Sequence, residues 1–319
     1  MLPLLISVVG TTASGKSGLG IDLAKHFGGE VISADSRQVY QGLDLGTGKV
    51  TAEECRGVPH HLLDIIPPNT PFSMAEYQNL AYIAIDDVIS RGKLPFLVGG
   101  TGLYARAVTS GYSLVDVQPD EAFRAEMQEK SRDELVEMIA AYGVVIDDKQ
   151  ISPRRLIRIL EKLRAGAPPE NQSNPRYRTL QLGLTWDRDV LYRRIEERLD
   201  ARIEAGMIDE IRGLLEAGAT PEFMEMLGLE YRYTYRYISG QYSSFADYRN
   251  ELLTEIRRFA KRQQTWFRRD SDIIWLDSQG DYTTQAIELV NAFLHQGEAK
   301  AEETMEDMGI FREENDFYL

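Results

Sequence analysis

The chain opens on an apolar run, residues 4–9, that is too short for a helix and stops at Gly10, so it reads as a strand buried on both faces. Apolar positions then recur with helical period over residues 17–27, and a second short apolar stretch follows at residues 30–33. After the turn signal Pro67, Pro68, Asn69, helical periodicity returns at about residues 73–90. Residues 94–98 form another buried strand, opening onto Gly99, Gly100, Thr101 and Gly102. Short buried strands alternating with amphipathic helices specify an α/β fold, a parallel sheet covered by helices on both faces. From about Gly111 the pattern changes. Residues 121–142 and 152–164 read as charge-rich helices with no strand between them, and a Pro- and Asn-rich loop at 166–175 closes the segment. Residues 179–184 return as a strand, and Asp187 caps a long helix reaching about residue 217. Residues 222–238 carry no decisive period, residues 246–268 form an amphipathic helix, and residues 273–276 a last short strand. The expected organisation is a core at residues 1–111 and 179–295, an all-helical insertion at 112–178, and an acidic, flexible tail at 296–319.

Composition changes this picture little. At 43% hydrophobic and 27% charged residues, the chain can bury a core without disulfide or metal staples. Cys55 is the single cysteine, and four histidines without His-Glu-x-x-His spacing offer little to zinc, so a reducing, cytoplasmic setting is expected. No basic residue precedes the apolar N-terminal run and no small-residue cleavage site follows it, while charges interrupt every candidate membrane span. Charge matters more. The net −14 argues against a polyanionic partner, but eight acidic residues against Lys300 and Arg312 from Glu298 onward leave about −8 for the body. Basic side chains gather at residues 154–164, 188–202 and 257–269, so any nucleic-acid surface must be local and shape-reading.

The strongest chemical signal lies between the first strand and the first helix. Gly10, Gly15, Lys16 and Ser17 stand at the spacing of a phosphate-binding P-loop, where glycines let successive N–H groups and the helix N-terminus face an anion. Lys16 would reach the terminal phosphates and the Ser17 hydroxyl would take Mg²⁺. A nucleotide hydrolase would normally end a later strand in a metal-binding Asp, whereas residues 94–98 end in Gly99 and Gly100. At the end of the second strand stands Asp35. Strand ends on the carboxyl side of a parallel sheet share the ligand crevice, so this carboxylate can accept a proton from a hydroxyl or amine of an acceptor, or serve simply as a turn or helix cap.

Together these segments resemble the tRNA dimethylallyltransferase family, also called tRNA isopentenyltransferases. Residues 10–17, 32–40, 42–47, 58–64, Phe72 with Ser73, 97–104, 191–198 and 260–267 look like family blocks in family order, covering about residues 4–110 and 179–270. The resemblance implies a P-loop NTPase-like core that transfers a dimethylallyl group from dimethylallyl diphosphate to N6 of the adenosine just 3′ of the anticodon, acting as a monomer. On that reading Asp35 accepts the amine proton and Thr101 holds the same amine. The leaving diphosphate is met by Gly10, Thr12, Ala13, Ser14, Gly15, Lys16, Mg²⁺ through Ser17, and a distant arginine, Arg198 before Arg194. Ser36 and Gln38 read the flipped base. Arg154, Arg155 and Arg158 of the insertion grip the anticodon stem-loop, as do Arg257, Lys261, Arg262 and Gln263 of the helix at 246–268.

That helix would bury an apolar stripe of Leu252, Ile256, Phe259 and Trp266 and turn its cations to RNA, or merely to solvent. Tyr231 to Tyr237 alternate with arginines, as a base-stacking surface or a packed core would. Thr11 stands where the family has proline, and residues 144–152 and 227–232 depart from family blocks. Three other readings share the loop: an adenylate isopentenyltransferase acting on free AMP, ADP or ATP, a small-molecule kinase with Arg154, Arg155 and Arg158 as its lid, and a binding-only P-loop module.

Overall fold

Strand β1 (Leu4–Gly10) lies inside a six-stranded, wholly parallel sheet in a computed structural model that describes residues 2–114, 117, 120–147 and 151–296. The other strands are β2 (Glu30–Ser33), β3 (His60–His61), β4 (Pro95–Gly99), β5 (Arg178–Leu184) and β6 (Ile273–Leu276), in spatial order β3-β2-β4-β1-β5-β6. Ile6 pairs with Phe96 on one side and Leu180 on the other, and Val8 with Val98 and Leu182. Because side chains alternate across a pleated strand, Ile6 and Val8 join one core layer and Leu5 and Val9 the other. The first layer holds Leu19 and Leu23 of α1 (Lys16–His26) with Leu289 and Phe293 of α12 (Tyr282–Gln296). The second holds Tyr77 and Ile85 of α2 (Met74–Ser90), Val108 of α3 (Gly102–Thr109) and Phe267 of α11 (Phe245–Arg268). Ser73 caps α2 reciprocally with Glu76.

The described residues separate into two compact units, one of them Ser110–Pro175 and the other the chain on either side. The second boundary falls before 178 because Arg176 and Tyr177 bond the Asp86 carboxylate of α2, at 2.9 and 2.7 Å. Within Ser110–Pro175, α4 (Glu121–Gln128), α5 (Arg132–Ala140) and α6 (Pro153–Arg164) enclose a small core of Phe123, Met127, Leu135, Ile139, Leu156 and Leu160. The single helix expected over 121–142 is broken at Ser131, whose capping box with Glu134 starts a new helix. The long helix expected to residue 217 breaks at Gly206 (φ 103°) into α7 (Arg188–Glu204) and α8 (Met207–Glu216). The segment without clear period becomes α9 (Pro221–Leu227), capped by Thr220, and α10 (Leu229–Ile238). Residues 148–150 of the divergent 144–152 stretch, and residues 297–319 of the expected acidic tail, lie outside the described residues.

The short strand β3 was not foreseen. His61 there bonds the buried Glu30 carboxylate at 2.7 Å, which also accepts from Arg91 and Lys93, while His60 bonds the Val58 carbonyl at 2.8 Å. The adjacent histidines thus fasten the sheet edge.

Candidate active site

The phosphate loop is drawn tight by neighbours. A Cβ at Gly10 would fall 2.4 Å from the Leu184 carbonyl oxygen, so only glycine lets β1 and β5 close there. Ala13 (φ 60°) and Gly15 (φ 99°) turn through the left-handed region, which for alanine costs about 1 kcal/mol and must be repaid by contacts. Those contacts are visible. Arg194 Nε donates to the Ala13 carbonyl at 2.8 Å, and Trp186 Nε1 to the Ser14 carbonyl at 2.7 Å, with the Arg194 guanidinium 4.6 Å from the Trp186 ring. The Thr12 N–H donates to Gln263 Oε1 at 2.8 Å, and Gln263 Nε2 donates to the Gly100 carbonyl at 2.8 Å. Gln263, expected on the RNA side, is therefore buried with both ends of its amide bonded. It bridges the phosphate loop to the end of β4. The first N–H groups of α1 have no intrahelical acceptor and remain for an anion.

Beside them lies a cavity of about 420 Å³ lined by Lys16, Ser17, Arg194 and Arg198 among others. Lys16 is held by the Thr11 carbonyl at 3.2 Å, so threonine in place of proline leaves the needed acceptor in position. Burial, reinforced by the Arg198 charge and opposed by Asp35, pushes the Lys16 ammonium down to about 8. Burial and the neighbouring Arg202 likewise push Arg198 down to about 10. Cations buried together in this way suit an anion, even with Asp35 and Glu230 nearby and Glu197 in the lining.

Arg202 escaped the sequence reading although its signal was there. Arg194, Arg198 and Arg202 stand four apart on α7 and so share a face. Arg202 bonds Glu230 at 3.3 Å, and Arg198 Nη2 donates to the Gly48 carbonyl at 3.3 Å. The turn carrying Gly48 is itself anchored by another unforeseen residue. Glu210 accepts the N–H groups of Asp44, Leu45 and Gly46, at 3.2, 2.6 and 3.1 Å, and the Tyr231 hydroxyl at 2.8 Å.

At the next strand ends the two segments meant for an acceptor are knitted together. Gly99 admits the Ala34 carbonyl, which a Cβ would meet at 2.1 Å, and the Thr101 N–H donates to that carbonyl at 3.2 Å. Thr101 Oγ1 accepts from the Ser36 N–H at 3.1 Å and lies 3.4 Å from the Ser36 hydroxyl. The Asp35 carboxylate accepts from the Arg37 N–H at 2.9 Å through one oxygen, its only hydrogen bond among the described residues. Gln38, expected to read the base, has its amide turned inward: Ser33 Oγ donates to Oε1 at 3.2 Å and Nε2 donates to the Gly48 carbonyl at 3.5 Å.

The basic candidates divide. Arg257 is paired with Glu196 at 2.8 Å, and Arg158 with Glu161 at 2.8 Å and the Val117 carbonyl at 2.9 Å, so both hold structure. Arg154, Arg155, Lys261 and Arg262 are exposed. Within the expected stripe Leu252 and Ile256 are buried, but Phe259 and Trp266 are not. Leu253, Ala260, Gln263 and Phe267 complete the buried face instead, rotating it away from both aromatics. Of the alternating aromatics, Tyr231 and Tyr233 are buried and Tyr237 stacks on Tyr248 at 4.7 Å, while Arg232 and Arg236 pair with Glu225. That run is core.

Residues 38–270 match the family model described as IPP transferase, and residues 4–66 match one described as isopentenyl transferase. A tRNA dimethylallyltransferase 2 of Shewanella sediminis is 44% identical over 295 residues, spanning 90% of this chain and 97% of that protein. A tRNA dimethylallyltransferase of Desulforudis audaxviator is 42% identical over 86% and 92% of the two chains. The crystal structure of a full-length tRNA isopentenylpyrophosphate transferase from Bacillus halodurans superposes with TM-score 0.70 at 38% identity, covering 97% of this chain and all of that one. A eukaryotic dimethylallyltransferase acting on tRNA gives TM-score 0.77 at 26% identity, covering 96% and 84%. With a P-loop, neighbouring strand ends joined through Ser36 and Thr101, and likeness over nearly its whole length, this chain belongs to the IPP transferase family, whose members here are tRNA prenyltransferases.

Proposed function

We propose that the chain transfers a dimethylallyl group from dimethylallyl diphosphate to N6 of the adenosine 3′-adjacent to the anticodon in tRNA, releasing diphosphate. What carries this reading is the likeness to tRNA dimethylallyltransferases over nearly the whole chain, supported by a cavity at the phosphate loop lined by Lys16, Ser17, Arg194 and Arg198. As the N6–C1 bond forms, the C1–O bond of the diphosphate ester breaks and the electron pair leaves on diphosphate. The N6 proton passes to Asp35, and Thr101 Oγ1 orients the amine. An adenine amine is a weak nucleophile because its lone pair is delocalised, so proton acceptance as the bond forms lowers the barrier. Lys16, Arg198, Arg202 and the α1 N–H groups meet the charge that gathers on the leaving diphosphate. Arg194 acts on the loop's shape, and Gln38 on the turn at Gly48.

No group of three acidic, histidine or cysteine side chains able to hold a metal exists among the described residues. The Ser17 hydroxyl, in the lining of the cavity at the start of α1, is the group that would hold Mg²⁺, which takes few protein ligands at phosphate sites. When bound it would neutralise diphosphate charge. Arg154 and Arg155 on one unit, and Lys261 and Arg262 on the other, are the cations left for RNA phosphates. No described helix is long and apolar enough to cross a membrane. A tRNA substrate supports a cytoplasmic setting.

The test offers isotopically labelled dimethylallyl diphosphate with Mg²⁺ to unmodified tRNA, AMP and ATP in parallel, and follows the ATP γ-phosphate separately. Label should enter tRNA at an anticodon-loop adenosine, with free nucleotides at least about a hundredfold poorer because they forgo the stem-loop's binding energy. Preferential labelling of AMP or ATP would make the chain a free-nucleotide prenyltransferase, and phosphoryl transfer without prenyl transfer a kinase.

A further inference from the structure

Three large apolar side chains lie open on α3 and α11: Leu103 is 43% exposed, and Phe259 and Trp266 are each 39% exposed. Two of them share one helix line with a cation. Residues 259, 262 and 266 are spaced i, i+3, i+7, and the Arg262 guanidinium lies 5.8 Å from the Phe259 ring centroid. The Trp266 indole rests on bare backbone, because a Cβ on Gly102 would come within 2.3 Å of its Cδ1 and Nε1. Gly102 follows Thr101 directly, so the indole borders the place assigned to the target amine.

The surroundings are cationic. Lys261 and Arg262 are exposed, and no acidic residue occurs from 257 to 269, although Arg257 and Arg258 are paired with Glu196 and Glu255. Exposed aromatics set among cations suit a polyanion that carries π-faces, and single-stranded nucleic acid is held in this way, by stacking on rings along a basic track. From Phe259 to Trp266 the helix rises about 10 Å at 1.5 Å per residue. That is room for two or three nucleotides at about 3.4 Å each.

We infer that Leu103, Phe259, Arg262 and Trp266 form a stacking platform for the unpaired bases next to the target adenosine. The inference rests on the tRNA-prenylation reading and adds how the loop is kept open. Flipping one base out of a stack deprives its neighbours of a partner. A tryptophan packed on Gly102, the residue after Thr101, restores that partner where the loss occurs, so the flipped state is favoured by binding.

An anticodon stem-loop carrying 2-aminopurine beside the target adenosine tests this, since stacking quenches its fluorescence. Wild-type protein should quench the probe. Trp266→Ala should weaken stem-loop binding about tenfold to a hundredfold and abolish the quench. Phe259→Ala should act less strongly in the same direction, and Trp266→Phe should keep most of both signals. Thermal melts identify folded variants. If Trp266→Ala fails to fold, Trp266→Phe and Phe259→Ala decide. Wild-type affinity and quenching in the folded variants would overturn the platform while leaving tRNA prenylation intact. A wild-type dimer dissolved by Trp266→Ala without loss of RNA affinity would also overturn it, and would assign the face to a second copy. A wild-type protein that binds no stem-loop would overturn the platform together with the functional reading.

Discussion

Replacing Asp35 by asparagine should lower kcat by roughly two to four orders of magnitude, the span for losing a positioned general base. The substitution is well matched to the question. Asparagine keeps a side-chain oxygen that can still accept from the Arg37 N–H, so the turn that now binds Oδ1 at 2.9 Å should survive. It cannot take a proton. Asp35 also holds the Lys16 ammonium up against burial and Arg198, so removing its charge takes a negative charge from the crevice but lets Lys16 lose its proton more readily, and the two changes oppose each other. Binding of dimethylallyl diphosphate should therefore stay nearly the same while turnover falls. Single-turnover prenyl transfer, with diphosphate-analogue binding measured on the same preparation, separates the two effects. Near wild-type turnover would remove Asp35 from the chemistry.

Much of this site was readable from residue order because its parts are local. A P-loop is one strand, one turn and one helix start, and Asp35 and Thr101 each stand just past a recognisable strand, so parallel pairing of β2 with β4 brings them together. Legibility stopped where a side chain's partner lies far away in sequence. Gln263 reads as a polar residue on a basic helix, yet its amide bonds Thr12, 251 residues away. Glu210 looks like any helix acid until the three N–H groups at residues 44–46 fold onto it. Arg158 and Arg257 count as free charge in composition but are neutralised by Glu161 and Glu196. The stripe on α11 went wrong for another reason. Hydrophobicity alone puts Phe259 and Trp266 with Leu252 and Ile256, whereas small Ala260 and polar Gln263 occupy the buried positions because the phosphate loop and Gly100 need a bridge there. Breaks within helices were similarly hidden at Gly206, a position that tolerates the left-handed turn between α7 and α8 but shows no strong stop signal.

Removing the Lys16 ammonium should weaken catalysis and strengthen the fold at once. Burial holds this group at about 8, against 10.5 for an ordinary lysine, so keeping it charged at neutral pH costs folding free energy. The sign follows from proton linkage: between pH 8 and 10.5 the unfolded chain carries a proton that the folded chain has lost, so stability rises with pH across that window, and the full cost is present below it. At pH 7 Lys16→Ala should thus raise the melting temperature, with an upper bound of about 3 kcal/mol at 1.36 kcal/mol per unit, reduced by the packing of the lost stem. The gain should vanish towards pH 10. Catalysis should move the other way, because the same ammonium meets phosphate charge in both ground and transition states, so Lys16→Ala raises KM for dimethylallyl diphosphate and lowers kcat. In the unsubstituted enzyme, diphosphate affinity should decline as pH rises through about 8, with proton uptake on binding above it, and the Lys16→Ala variant should lose that dependence. Melting curves and diphosphate titrations between pH 6 and 10 check both halves. A variant that melts lower than the parent at every pH, or a parent whose affinity is flat across pH 8, would mean that Lys16 is not the buried charge on which this site is built.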